Sequence, residues 1–293
     1  ITRTMEMVAA AKIRRATDRV FNALPWANCI SDMLISTAKY APLDSEPLLI
    51  THDEVKRAVV VVVTSDRGLA GGFNSNVLRE AEKLIKAKEK QGIEVEVIAC
   101  GKKAIGYFNY RGVKPIFEFR DLSADPTYEE AAEISAYIGE GYSHGYENGQ
   151  IDEVTLVFNH AKNGAEQTLI VQQVLPINMM SFAEVLGLEP KEEDVLEPYR
   201  DGEKKIPGDV DFEPDAATVM HQLMVAYLRN TFYYALIDSA AAEQGARRTA
   251  MKSATDNATE MAETLTRLYN RVRQGAITTE ISEIVGGAAA LED

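Results

Sequence analysis

The sequence holds 2 cysteines, 1 tryptophan and 4 histidines in 293 residues. Cysteines as far apart as Cys29 and Cys100 make neither a disulfide framework nor a zinc site, and they fit a reducing compartment. His52, His144, His160 and His221 are scattered, with no two at the i, i+4 spacing of a helical metal pair. Long apolar runs are also missing. The longest, Ala58 to Val63, is far too short to span a bilayer. No segment has a signal-peptide pattern, so nothing argues for secretion. Positive charge is scarce. A net charge of -14 excludes a general nucleic-acid binder, which needs a basic face. The chain opens on Ile1 rather than Met, as expected of a processed chain or of one whose start lies upstream.

What is present is ordinary for a globular protein: 46% hydrophobic and 26% charged residues, enough to exclude a wholly disordered chain. The charge is unevenly spread. Residues 1–57 carry 8 basic and 7 acidic groups, residues 58–212 carry 16 and 27, and residues 213–293 carry 7 and 11. Arg3, Lys12, Arg14, Arg15 and Arg19 face only Glu6 and Asp18 in the first 20 residues. That basic arm reads either as a solvated helix face or as a contact for an acidic partner surface.

Periodicity divides the chain into three regions. Over Ile1–Ala41, the residues Ala9, Ile13, Ala16, Val20, Ala23, Ala27, Ile30 and Leu34 alternate steps of four and three, a heptad seam on a long helix. Pro25 lies inside it and predicts a kink or a break. From 58 to 180, strands and helices alternate, which implies a mostly parallel α/β sheet. The predicted elements are strand Ala58–Thr64, helix Ser75–Gln91, strand Glu94–Cys100, helix Lys102–Tyr110, strand Val113–Phe119, helix Tyr128–Gly145, and strands Glu153–Asn159 and Gln167–Leu175. Asn163-Gly164 suits a hairpin between the last two. Residues 181–213, with 11 acidic and 4 basic groups, read as an acidic linker. The third region, residues 214–293, has no proline from Asp215 to Val285. Met251, Ala254, Ala258, Met261, Leu265, Leu268 and Val272 form a second heptad seam. Gly286-Gly287 is its predicted stop.

Two seams at opposite ends of one chain are expected to pair with each other, and the domain between them makes the pairing antiparallel. The first helix is the shorter, so part of the second should overhang. That end carries Ile277, Ile281, Ile284, Val285 and Leu291, which either fold back on the α/β domain or are sheathed by another protein. A strand, glycine-rich loop and helix around 58–80 invite a dinucleotide reading. But Gly68, Gly71 and Gly72 do not make G-x-G-x-x-G, and no P-loop lysine follows Gly72. The plainer reading is a tight βα turn. Tyr227, Phe232, Tyr233 and Tyr234 are expected to pack on the domain or the other helix. Glu192-Glu193 lies in the linker, where no rigid scaffold holds it for acid–base work. No active site assembles.

Several stretches resemble the γ subunit of F-type ATP synthase. They are Met5-Glu6-Met7-Val8-Ala9-Ala10-Ala11-Lys12, then Thr64-Ser65-Asp66-Arg67-Gly68-Leu69 running into Gly71-Gly72-Phe73-Asn74. At the C-terminal end they are Ala250-Met251-Lys252-Ser253-Ala254-Thr255-Asp256-Asn257-Ala258, Ile277-Thr278-Thr279-Glu280-Ile281, and Glu283-Ile284-Val285-Gly286-Gly287-Ala288-Ala289-Ala290. The resemblance implies an α/β chain, with a long antiparallel coiled coil of its two terminal helices and a central Rossmann-like domain. It implies a rotor shaft with no catalytic site and no cofactor of its own, turned by proton flow through a c-ring. The implied partners are the α and β subunits of a catalytic hexamer, the ε subunit and the c-ring, with δ, a and b subunits in the same complex. The implied location is peripheral, on the cytoplasmic face of the bacterial plasma membrane.

By position, the resemblance assigns Arg273, Gln274, Thr278 and Glu283 to loops of the catalytic ring. It sets Met5 against a β subunit with Arg3 close by, and Ile281, Ile284, Val285 and Leu291 in an apolar bearing. Ala70 stands where many relatives carry Cys, and no regulatory cysteine pair is seen, which argues against thiol redox control.

Overall fold

The computed structural model describes the chain except Lys39, Pro42, Asp44, Ser45, Ser123, Ala124, Glu147, Asn148, residues 178–210 and Asp293; at Ile35 and 286–292 it describes the backbone alone. Most of the acidic linker therefore lies outside the described residues.

Helix α1 spans Thr2–Thr37. Its seam behaves as a buried stripe: Ala9, Ala27, Ile30 and Leu34 are buried, and Ile13, Ala16, Val20 and Ala23 half-buried. Pro25 does not break the helix. It sits on the exposed side, so the Phe21 carbonyl it leaves without a helical donor can turn to water. The missing bond still weakens the helix. Pro25→Ala should raise stability by up to about 3 kcal/mol, read as a higher midpoint in thermal denaturation.

A 3-10 turn at Pro47–Leu49 leads into the sheet. The following elements are β1 Arg57–Val63, α2 Phe73–Glu89, β2 Glu94–Cys100, α3 Lys102–Tyr110, β3 Phe117–Phe119, α4 Tyr128–Ser143, β4 Glu153–Ala161 and β5 Gln167–Leu175. The strand order is β3-β2-β1-β4-β5. The first four strands run parallel, and β5 closes an antiparallel hairpin on β4. The Asn163 side chain shapes that hairpin, its Oδ1 accepting from the Ala165 and Glu166 amides at 2.9 and 2.8 Å. β3 is shorter than the predicted Val113–Phe119. Val113 is drawn onto the end of α3, where its amide donates to the Phe108 carbonyl at 3.0 Å.

Strand β1 is buried on both faces, as its β-branched run requires. Val60 and Val62 point into a core made with α2 and α3. Val59, Val61 and Val63 point the other way, into a larger core. That second core draws Ile134 and Ile138 from α4, Ile30 and Leu34 from α1, and Met220, Met224, Leu228 and Phe232 from the last helix.

The last helix, α5, runs Ala216–Glu292, 77 residues, or about 115 Å at 1.5 Å per residue. Asp215 caps its start, accepting from the Thr218 amide at 2.8 Å. The predicted stop at Gly286-Gly287 is not where it ends: the helix passes through both glycines. Each glycine weakens a helix by about 1 kcal/mol without removing a hydrogen bond.

Helices α1 and α5 pair antiparallel, but the two seams do not pair with each other. Thr2 already meets Thr255, Oγ1 to Oγ1, at 2.7 Å. The first seam packs on the stretch of α5 before that point. Of the second seam, Met251 is buried and Ala254 half-buried, and Ala258 onward is bare. The tyrosine-rich stretch of α5 packs as expected. Tyr227 and Phe232 are in the core, and burial pushes the Tyr227 and Tyr234 phenols up to about 12.

Candidate functional site

The free end of α5 is a feature that no other part of the described chain covers. Every residue from Asp256 to Val285 is exposed, and the end does not fold back onto the α/β domain. From Asp256 to Glu292 the helix overhangs by about 55 Å. Its surface is not that of a solvated helix: Met261 is 65% exposed, Leu268 53%, Tyr269 66% and Val272 63%. A contiguous apolar stripe of this size marks a surface that another molecule covers.

The overhang carries two such faces. At about 100° per residue, Ile277, Ile281 and Ile284 lie between about 120° and 180° around the helix from Val272. The seam therefore faces one side and the tip another. The polar residues assigned by resemblance divide between them. Arg273 is on the Ile277 side, and Glu283 is on the side opposite Ile281. Thr278 stands one turn above Gln274 and donates its hydroxyl to the Gln274 carbonyl at 2.9 Å. All four are exposed, as are Ile281, Ile284 and Val285; the Leu291 side chain lies outside the described residues.

The second assigned cluster, Met5 and Arg3, sits on α1 and, by the register that sets Thr2 beside Thr255, is level with Lys252 to Ala254 of α5, well below the tip. Met5 is half-buried and Arg3 exposed. Met5 lines a notch with Lys12, Arg67, Leu69, Gln244 and Arg247, where α1, α5 and the glycine-rich turn meet. Arg3, Lys12, Arg14 and Arg15 are exposed, and among the described residues none has a carboxylate within salt-bridge distance. Arg19 is paired with Asp125.

The glycine-rich turn is a seat for α5. Thr64 Oγ1 donates to the Cys100 carbonyl at 3.1 Å and accepts from the Ala104 amide at 2.9 Å. Asp66 Oδ1 accepts from the Lys102 and Asp121 amides, both at 3.0 Å. These bonds shape the turn itself. Its outer side meets α5: Arg247 donates to the Gly68 carbonyl at 3.2 Å, and Ala70 packs with Phe73 and Ala242. Gly71 has φ +57, a backbone conformation that explains its glycine.

Three histidines hold parts of this framework, each against a buried carboxylate. His52 Nδ1 lies 2.8 Å from Asp152, His221 Nδ1 3.1 Å from Glu46, and His160 Nδ1 2.7 Å from Asp238. The last two fasten α5 to the rest of the molecule. Cys29 is exposed and Cys100 buried, and both are free thiols. Among the described residues, no group of three His, Cys, Asp or Glu side chains could hold a metal ion. No described helix is long and apolar enough to cross a membrane.

Comparison with known proteins agrees with this architecture over the full length. A family model described as ATP synthase matches residues 1–291. The ATP synthase gamma chain of Streptomyces coelicolor is 36% identical over 293 residues, covering 100% of this chain and 91% of that one. The chain belongs to the ATP synthase gamma chain family. The gamma chain of Heliobacterium modesticaldum is 40% identical over 291 residues, 99% of this chain and 93% of that one. In structure, this gamma chain is similar to a chain of the Tetrahymena thermophila mitochondrial ATP synthase central stalk and c-ring. The TM-score is 0.61 at 23% identity, over 87% of this chain and 99% of that one. A chain of the Euglena gracilis mitochondrial ATP synthase gives a TM-score of 0.55 at 16% identity, over 96% of this chain and 95% of that one. These two likenesses establish the fold: a five-stranded α/β body carried on two long helices.

Reading the sequence alone missed His160, Asp238 and Arg247. A signal for Asp238 was present: it is a lone acid in the run Ala235-Leu236-Ile237-Asp238-Ser239-Ala240-Ala241-Ala242. A charge in such a run is buried with a partner or not buried at all.

Proposed function

We propose that this gamma chain is the rotating central shaft of its ATP synthase, a non-catalytic subunit that couples proton-driven turning of a c-ring to ATP synthesis, and ATP hydrolysis to the reverse. The observation that carries the reading is the bare 256–285 stretch, a stiff rod with an apolar surface that the described residues of its own chain leave uncovered. In this reading a hexamer of α and β subunits houses the overhang. Residues 58–180 form the foot that meets the ε subunit and the c-ring, with residues 1–57 and 214–293 as the shaft and 181–213 as an acidic connection. The δ, a and b subunits belong to the same complex, which holds the chain peripherally on the cytoplasmic face of a bacterial plasma membrane.

The chemistry supports each role. A continuous helix is stiff. The Ile281, Ile284 and Val285 tip offers non-directional contacts, which slide past a surrounding sleeve without fixing one angle. Arg273, Gln274, Thr278 and Glu283 are few and exposed, suited to hydrogen bonds made and broken in turn. Arg3 and the unpaired cations after it suit acidic loops of a β subunit beside Met5.

Thiol labelling tests the reading. With Cys29 replaced by Ser, an Ile284→Cys chain should react freely by itself and at least about tenfold more slowly in the assembled complex, because access controls thiol reactivity. Equal rates in the two states would contradict a housed tip.

A further inference from the structure

The contact between β4 and α5 has chemistry beyond packing. Asp238 sits in the middle of α5 with its side chain 2% exposed, while the His160 side chain is 39% exposed. One carboxylate oxygen meets His160 Nδ1 at 2.7 Å. The other accepts the Ala161 amide at 3.1 Å. One buried acid on the long helix thus holds two successive residues at the end of β4, where the hairpin begins. Below it, the apolar core around Met220, Met224, Leu228 and Phe232 joins α5 to the sheet. Above it the junction is close and built from small residues, Ala242 and Ala246 packing with Ala161, and a Cβ on Gly245 would stand 3.3 Å from the Gly164 carbonyl oxygen of the hairpin.

We infer that His160 and Asp238 form a proton-dependent latch that fixes the β4–β5 hairpin, and with it the upper part of the α/β domain, on the long helix. With the imidazole protonated, the buried carboxylate has a cation and a charge-assisted hydrogen bond. When the proton leaves, Nδ1–H still donates, but the carboxylate is buried with neutral donors. That is the costly state for an ionised group.

Other charges do not substitute for it. On α5, Tyr234 lies one turn away and its phenol is raised by burial and by Asp238. On β4, Glu153 is at the far end and paired with Lys88. On β5, Thr168 stands opposite His160. At the hairpin tip Lys162 and Glu166 are exposed. By the register that sets Thr2 beside Thr255, α1 brings Arg15, Asp18 and Arg19 to this level, and Arg19 is taken by Asp125.

The sign follows from the hydrogen bond to Asp238, which raises His160 above its ordinary value. A raised histidine contributes stability that is full below its unfolded value, about 6.5, and is lost as pH rises through the folded one. The latch therefore holds in mild acid and slackens as pH rises through the raised His160 value. Under the central-stalk reading, on which this consequence rests, a slack latch lets the domain shift against the shaft, and fewer ions are pumped per ATP hydrolysed.

The test begins with the full chain. By NMR of its histidine rings, the His160 midpoint should lie above the ordinary value and fall back toward it in Asp238→Asn, which removes the carboxylate that raises it. An unchanged midpoint overturns the latch. His160→Gln keeps a neutral donor on a half-exposed residue and guards against an unfolded Asp238 variant. After correction for base catalysis, exchange of the Ala161 amide should accelerate about tenfold from mild acid to mild alkali in the parent chain and stay flat in His160→Gln. Parallel curves overturn the proposal. In the assembled complex, the pumping-to-hydrolysis ratio should fall with pH in the parent and not in His160→Gln. Equal pH profiles beside a titrating latch overturn the coupling consequence alone, whereas a chain that joins no α–β complex defeats the shaft reading and leaves the latch standing.

Discussion

Ala258→Pro should abolish ATP-driven ion pumping by the assembled complex while leaving the chain's own melting transition almost untouched. Proline in a helix interior removes one hydrogen bond and drives its ring into the carbonyl four residues back, at a local cost of about 3 kcal/mol or more. Ala258 is exposed and lies just past the last contact between the helices, Thr255 to Thr2. Beyond that point α5 has no neighbour among the described residues to hold a broken rod straight. The folded body below it does not depend on Ala258, so a thermal scan of the lone chain should shift by no more than about 1 °C. The same change one buried stretch lower gives the contrast. Ala240 is 7% exposed, in the buried stretch of α5, and Ala240→Pro should prevent the whole chain from folding. Normal pumping by Ala258→Pro would falsify the view that the overhang transmits force.

Phe232→Ala should lower the stability of the entire molecule in a single transition. Phe232 is 1% exposed in a core shared by α1, α4, α5 and one face of the sheet. Truncating a buried phenylalanine costs about 3–5 kcal/mol, partly for lost transfer and partly for the cavity left behind. For a chain of this size, that lowers the melting midpoint by about 5–8 °C. The informative outcome is the number of transitions. If the shaft and the α/β body were separate units joined by a linker, the variant would split the melt in two. A shared core makes them melt together, whether followed by helix or by tyrosine signal.

Much of this fold was legible because burial and periodicity coincide. The stretch Ala58–Val63 has almost no polar atoms, and it is the strand covered on both faces. The seam from Ala9 to Leu34 is the stripe that α5 covers. The helix 102–110 and the strands 94–100 and 167–175 were placed to the residue, because glycine, proline or asparagine marks their ends. One error came from reading punctuation too strongly. Gly286-Gly287 did not stop its helix: a breaker raises the local cost, and sheer length can absorb it. The second seam was real as a pattern but assigned to the wrong partner, because periodicity reports that a face is apolar and not what covers it.

The site divides in the same way. The glycine-rich turn could be read as a βα turn from its spacing, but not as a seat for a helix nearly 180 residues later. His160 and Asp238 are 78 residues apart, and no local pattern links a half-exposed histidine at a strand end to one acid in an alanine-rich helix.

The amino-acid order alone determined two long amphipathic rods, a parallel sheet between them, and the excess of one rod over the other. These are properties of neighbouring residues, fixed by spacing and side-chain type. The tertiary fold decided the rest: where along α5 the shorter helix stops, which apolar face is left bare, and which acid meets which histidine. Those depend on the register of elements distant in the chain, and register is set by the sum of all packed contacts rather than by any one segment.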